Sequence, residues 1–268
     1  MLELIQITND VAFARRCEAL GGMRLFVDLE RLGKAERQAG RDTFISRHAP
    51  GDVARIRDAA PRSRLMVRVN PLHADSAREV DAVLAQGPDL LMLPMFQGAA
   101  QLREFARLVD GRVPFSALLE TAGALDTVDD WAGTPGLHEV YVGLNDLHLS
   151  LGHRFMFEAL AEGLVDRVAG VARRSDRRFG FGGIARLDEG LLPGRDVLAE
   201  HQRLGSQAVI LSRTFHRADA VDDFETQVAA LRQAEVQLAR RDASAVEADR
   251  VRIAETIRAI ARGLPPRA

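Results

Sequence analysis

Three short segments carry side chains able to do polar chemistry at the ends of apolar runs. In LMVRVNPL, the two-residue repeat of an extended chain puts Met66, Arg68 and Asn70 on one face and Val67 and Val69 on the other. An arginine inside such a run needs a carboxylate partner or an anionic ligand, because its planar fork stays charged and matches a carboxylate or an oxyanion. Glu120 closes the run FSALLE, and Asp146 lies in VGLNDLHLSLG just past another apolar run. Two carboxylates at adjacent strand ends would converge on one mouth. There they would suit a hard divalent cation, Mg²⁺ or Mn²⁺, with water and substrate oxygens filling the remaining positions. Taken singly, each residue has a plainer use: Arg68 in a buried ion pair, Asp146 as a helix cap. Their convergence is what argues for a site.

The elements that must position these residues follow from periodicity. Apolar runs rich in β-branched and large aliphatic residues predict strands over Leu4–Thr8, Leu25–Leu29, Leu65–Asn70, Leu90–Met95, Phe115–Glu120, Glu139–Gly143, Phe179–Gly182 and Ala208–Ser212. Their continuous hydrophobicity is that of a parallel sheet covered on both faces. Helical patterns separate them, such as Val11–Leu20 before Gly21 and Gly22, and Ala77–Ala85 before Gly87 and Pro88. Eight strands alternating with helices, with polar residues at the C-terminal end of almost every strand, predict an α/β fold: a TIM-type (β/α)8 parallel barrel, in preference to an open doubly wound sheet. The catalytic barrel is expected over 1–220. A C-terminal helical extension follows over 221–268, where Phe224, Val228, Leu231 and Leu238 and then Val246, Ile253, Ile257 and Ile260 recur at helical spacing. Ser244 and Glu247 are spaced as a capping box for the second of these helices. The extension packs either on its own barrel or on a neighbouring subunit.

Composition narrows the function. The 268 residues suit one barrel, and 47% hydrophobic with 28% charged residues is an ordinary globular balance. The 36 basic and 38 acidic residues are mixed along the chain for a formal net charge of -2, so there is no basic stripe for nucleic acid. Cys17 is the single cysteine, which excludes an internal disulfide and a cysteine-based zinc cluster and reads as a small apolar residue on a helix. No apolar run spans a bilayer, and the N-terminus MLELIQITND lacks the charged and apolar regions of a secretory signal; a cytoplasmic enzyme is expected, with no membrane partner.

The ordered segments DLE (Asp28 to Glu30), RHAPGDV (from Arg47), VRVN, MLPM, LLETAGAL and VGLNDLHLSLG resemble the HpcH/HpaI aldolase and citrate lyase β-subunit family of the phosphoenolpyruvate/pyruvate barrel superfamily, from about Leu25 to Phe215. The resemblance implies that Glu120 and Asp146 are metal ligands and that Arg68 grips the oxo acid or its enolate. It also implies a homo-oligomer, since members often exchange their last barrel helix. Aldolase members carry D-G-E-H at the second strand end, with the histidine as base; here Glu30 stands eighteen positions before His48, the candidate base. The H-A-P-x-D-V context of His48 matches the aldolase branch, and DLE matches the lyase β-subunits. Asp28 and Glu30 are expected to hydrogen-bond the waters of the ion.

Other candidates carry less. His148 and His153 flank Asp146, but a hard ion prefers oxygen, and both are assigned to packing. FGFGGIAR lacks the G-x-G-x-x-G spacing and reads as close backbone approach, not a dinucleotide fingerprint. Asn70 and Arg213, in LSRTF after the last strand, are candidate substrate-binding residues, Arg213 for an anionic tail. The expected reaction is metal-dependent lysis or formation of a carbon–carbon bond beside a 2-oxo acid such as pyruvate. The ion and Arg68 would stabilise the enolate, and His48 or a metal-bound hydroxide would take the proton from the fragment's hydroxyl. The partner substrate is an aldehyde or an acyl group. The alternatives are a citrate-lyase-like acyl-CoA lyase and a catalytically silent, ligand-binding barrel.

Overall fold

The computed structural model of the protein describes residues 1–33, 48–216 and 224–265. Arg47 and the boundary expected between residues 220 and 221 lie outside them. Eight strands close a barrel in sequential order: β1 (Glu3–Ile7), β2 (Met23–Asp28), β3 (Arg64–Arg68), β4 (Leu90–Leu93), β5 (Phe115–Leu119), β6 (Leu137–Val142), β7 (Arg178–Ile184) and β8 (Ala208–Leu211). Every expected strand is present. Asn70, Met95, Glu120, Gly143 and Ser212, expected as last strand residues, lie just past the strand ends. At β3 the reason is visible: the Asn70 N–H turns aside to the Glu79 carboxylate, 3.1 Å away, and leaves the ladder. Among the described residues, no helix is long and apolar enough to cross a membrane.

By internal packing the chain forms two compact units. One comprises Ile5–Leu119 and Gly123–Val140. In it β2, β3, β4 and β5 pair in parallel, with Asp28 opposite Arg68 and Arg68 opposite Met92. Helix α1 (Val11–Leu20) starts where the Asp10 side chain accepts from Phe13 N and stops at Gly21. Its buried face includes Cys17, as expected. Helices α2 (Asp52–Ala59), α3 (Ser76–Leu84) and α4 (Ala99–Val109) follow β2, β3 and β4, and the short α5 (Ala122–Asp126) and α6 (Val128–Trp131) follow β5. The core holds edge-to-face pairs of Phe105 with Phe115 and Phe96 with Trp131, whose indole N–H donates to the Ala124 carbonyl at 2.8 Å. The same unit holds a fully buried ion pair: Arg24 Nη1 and Nη2 donate to the two Glu139 oxygens at 2.8 and 2.9 Å, and Ser116 Oγ donates to Glu139 at 3.2 Å.

The other unit comprises Met1–Leu4, Glu120–Ala122 and Tyr141–Ala268. The pairing of β7 with β8 shifts register between Gly180 and Gly183, and the hydroxyl of Tyr141 repairs the break: it donates to the Gly182 carbonyl at 2.7 Å and accepts from Ile210 N at 2.8 Å. A Cβ on Gly180 would lie 2.7 Å from the Tyr141 ring and from the Ala208 carbonyl oxygen, which explains that glycine of FGFGGIAR as close backbone approach. After α7 (Leu144–Ser150), α8 (Glu158–Ala161), α9 (Leu164–Arg174) and α10 (Gly194–Leu204) come the two C-terminal helices, α11 (Phe224–Leu238) and α12 (Ala243–Gly263). Glu235 and Arg232 of α11 hold the backbone of Leu2. Helix α12 buries Ile253, Ala254, Ile257 and Ala261, packs against α8 and α10 of its own chain, and is pinned to α10 by Arg252 and Asp196 at 2.7 Å. Its cap differs from the expected capping box: Asp242 accepts from Ala245 N at 2.8 Å, and Glu247 pairs with Arg250 one turn on.

Candidate active site

Within the first-described unit, the ends of β2 and β3 bring Asp28, Glu30 and Arg68 together. Arg68 Nε and Nη2 donate to the two oxygens of Asp28, each at 2.8 Å, and Nη1 lies 3.3 Å from Glu30. The register sets Asp28 opposite Arg68, within reach of the two-bond fork that an arginine makes to a carboxylate. Phe26 lies under the guanidinium, with the carbon 5.7 Å from the ring centre. Asp28 Oδ1 also accepts from Glu30 N at 3.2 Å. Arg68 is thus the carboxylate-paired arginine that the strand pattern admits, half-buried, and the clamp fixes the plane of its guanidinium where β3 ends.

Asn70 is engaged by the protein itself. Its Oδ1 accepts from the backbone N–H groups of Arg31 and Leu32 at 2.8 and 2.9 Å, and its Nδ2 donates to Glu79 at 2.7 Å. An amide serving both of those donors and an acceptor is a brace for the turn after β2. The braced turn extends the Arg31 side chain to the His48 carbonyl at 2.9 Å. His48 is itself buried, and its Nδ1 accepts a hydrogen bond from the backbone N–H of Asp28 at 2.9 Å. It therefore stands beside the Asp28–Arg68 clamp.

Within the other unit, Glu120 follows β5 with 2% of its surface exposed, and Asp146 lies in the first turn of α7, half-buried. Two residues past Glu120, Ala122 N donates to Ser150 Oγ at the end of α7, 2.8 Å away, which ties the segment carrying one carboxylate to the helix carrying the other. Among the described residues, no three His, Cys, Asp or Glu side chains group as metal ligands. An ion here would rest on these two carboxylates and draw its other oxygens from water and substrate, a donor set that fits Mg²⁺. His148 and His153 are used in packing: His148 Nδ1 lies 3.1 Å from the Leu144 carbonyl, and His153 Nε2 lies 3.2 Å from Glu162. Arg213 is exposed in the turn Arg213–His216 after β8.

Sequence reasoning passed over Met95, which follows β4 with a left-handed backbone, φ 56°. Such a conformation is costly for a side chain that is not Gly, Asn or Asp, and it collects at binding loops. No sequence signal could have located it. It also passed over the Gly123 of ETAGAL, where a Cβ would meet the Gln97 carbonyl oxygen at 2.8 Å.

A family model described as HpcH/HpaI aldolase/citrate lyase matches residues 25–159. A (3S)-malyl-CoA thioesterase of Cereibacter sphaeroides is 32% identical over 97 residues, which are 36% of this chain; the chain spans 34% of the length of this curated relative. Solved structures of like fold include an HpcH/HpaI aldolase from Desulfitobacterium hafniense, with a TM-score of 0.62 at 16% identity over 87% of this chain and 93% of that one. Another is the protein CitE from Mycobacterium tuberculosis in complex with magnesium and pyruvate, with a TM-score of 0.61 at 20% identity over 96% and 97%.

Proposed function

Because the chain belongs to the HpcH/HpaI aldolase/citrate lyase family, we propose that it is a magnesium-dependent lyase or aldolase that breaks or makes a carbon–carbon bond beside a 2-oxo acid of the pyruvate type. The observation that carries the reading is the nearly complete burial of Glu120 directly after β5, with Asp146 tied to the same segment through Ser150 and Ala122. These two supply the all-oxygen donors a hard ion prefers. Glu120 and Asp146 would hold the ion, with Mn²⁺ an alternative. When bound, it supplies Lewis-acid polarisation of the oxo acid's oxygens.

The remaining steps belong to the chain's own residues. Arg68, its plane fixed by Asp28, binds the oxo acid and favours the enolate, because a preorganised cation stabilises charge as it grows on that oxygen without having to reorient. Asp28 and Glu30 keep the guanidinium oriented and accept hydrogen bonds from waters around the site. Asn70 and Arg31 hold His48 beside the clamp. Arg213, exposed after β8, offers a cation to an anionic tail of the second substrate. That substrate is an aldehyde in the aldolase reading. The relative described as a malyl-CoA thioesterase favours a second reading, in which an acyl-CoA is the partner and the same carboxylates and arginine serve a thioester. A homo-oligomer belongs to the same proposal.

Calorimetric titration tests the assignment. Pyruvate should bind in the presence of Mg²⁺ and lose its binding on chelation; pyruvate binding that survives exhaustive chelation contradicts it. Cleavage of a 3-hydroxyacyl-CoA, with no turnover of free 2-oxo acids and aldehydes, would select the second reading.

A further inference from the structure

Glu79 lies in the first turn of α3, where a glutamate is favoured by the helix N-terminus and is usually turned to water. Here the side chain is only 17% exposed and is turned to the end of β3. Its Oε1 accepts from both the backbone N–H and the Nδ2 of Asn70, at 3.1 and 2.7 Å, and its Oε2 lies 3.0 Å from His73 Nε2. Both nitrogens of the His73 ring are accounted for. Nδ1 accepts from Asp75 N at 3.2 Å, so the proton of the neutral ring is on Nε2 and is donated to Glu79. Three donors therefore meet one side chain, and only a group with no N–H or O–H of its own satisfies all three at once.

The consequence reaches the clamp through Asn70, because an amide is a donor at one end and an acceptor at the other. With Nδ2 drawn to Glu79, Oδ1 faces the opposite way and takes the N–H groups of Arg31 and Leu32 at 2.8 and 2.9 Å. Reversed, the amide would set its N–H₂ against those two donors and its oxygen against the carboxylate. The turn held in this way follows Glu30, whose carboxylate lies 3.3 Å from Arg68 Nη1, and includes Arg31, whose Nη2 donates to the His48 carbonyl at 2.9 Å. We propose that Glu79 is a positioning residue for the Arg68 clamp: it fixes the direction of the Asn70 amide, and through it the turn that sets Glu30 against Arg68. That the clamp receives an oxo acid rests on the reading under Proposed function; the control of the turn by Glu79 does not. Without Glu79, Arg68 keeps its fork to Asp28 but loses the fixed second carboxylate at Nη1. The cost falls on the stabilisation of growing charge, which depends on preorganisation, more than on ground-state binding.

Hydrogen–deuterium exchange of the backbone amides, followed by NMR without added metal, reads the turn directly. In Glu79→Ala the Asn70 amide is released, and the Arg31 and Leu32 N–H groups should exchange about tenfold faster or more. Leu29 N, bonded to the Arg68 carbonyl at 2.9 Å, should keep its rate. Glu79→Gln can turn its oxygen to Asn70 and its N–H₂ to His73, so the loss falls on His73 and the turn should stay within about threefold of the wild type. Unchanged rates at Arg31 and Leu32 in Glu79→Ala, or equal acceleration in both variants, overturn the proposal. The second readout is exchange of the pyruvate methyl protons with deuterium oxide in the presence of Mg²⁺. In Glu79→Ala its maximal rate should fall about tenfold or more with KM changed by less than about threefold, and Glu79→Gln should recover most of the loss. A lower melting midpoint with an unchanged maximal rate in the folded protein is the result for a merely structural residue and refutes the positioning role. Wild-type protein that exchanges no pyruvate protons, while the amides respond to Glu79 as stated, refutes the pyruvate reading and leaves the control of the turn standing.

Discussion

Glu139→Gln should destabilise the protein severely while leaving the chemistry of the site in place. Arg24 and Glu139 are both 0% exposed, and their two bonds of 2.8 and 2.9 Å join β2, which ends in Asp28, to β6, which leads to Asp146. Glutamine keeps one acceptor oxygen but turns an N–H₂ toward the guanidinium, and it removes the negative charge that two bonds hold against a buried cation. Removing one partner of a buried pair costs about 3–5 kcal/mol, and the retained oxygen puts this variant near 3 kcal/mol, an order-of-magnitude figure. For a chain of this size each kcal/mol lowers the melting midpoint by about 2–4 °C, so the expected fall is roughly 6–12 °C. Paired replacement by apolar residues of similar volume, Arg24→Met with Glu139→Leu, removes the charge and the demand for it together. That variant should return to within about 1 kcal/mol of the wild type or exceed it. Urea and thermal unfolding of the wild type and both variants decide the matter. A Glu139→Gln protein as stable as the wild type, or a double variant as unstable as the single one, refutes the argument.

Glu120→Gln and Asp146→Asn should each abolish Mg²⁺-dependent turnover with little change in circular dichroism; unaltered activity in either folded variant removes that residue from the metal site. Truncation after about Ala220 should expose the surfaces of α8 and α10 that α12 covers, and cost solubility. A soluble, active truncation would show the two C-terminal helices to be dispensable. His201, stacked on Phe181 at 3.8 Å, is fully buried, and desolvation pushes its imidazole down to about 3. The unfolded chain takes up this proton near pH 6.5 and the folded chain does not, so stability present above pH 6.5 is lost as the pH falls toward 3. The slope is at most about 1.4 kcal/mol per pH unit. His201→Phe keeps the stack and should flatten that acid limb in urea titrations, and an unchanged limb would count against the assignment.

The barrel was legible because a parallel strand covered on both faces has no polar face to blur its run, as in LLML or FSALL. Strand ends were legible only to within a residue or two, because side chains such as Glu79 capture the next backbone N–H, and nothing local to VRVN announces that partner. Asn70 illustrates the general difficulty: strand alternation placed it beside Arg68, but its amide is consumed by Arg31, Leu32 and Glu79. The Asp28–Arg68 fork needed only the register of β2 with β3. The Arg24–Glu139 pair went unseen because its members are 115 residues apart and meet only across the closed barrel. For His48 the sequence supplied the residue but not its contact with the backbone N–H of Asp28, twenty positions earlier. The helix cap at Asp242 shows a local ambiguity of another kind: Asp242 and Ser244 are both good caps, and the chain enters α12 from the first.

The central claim, that this protein forms the enolate of a 2-oxo acid, is tested most directly by exchange of the pyruvate methyl protons with deuterium oxide, without any second substrate. The wild type should exchange them with Mg²⁺ present and cease on chelation. Arg68→Lys keeps the charge but loses the fork that Asp28 holds side-on, so exchange should fall by about a hundredfold. Wild-type protein that binds pyruvate with Mg²⁺ yet exchanges none of its methyl protons would contradict the account.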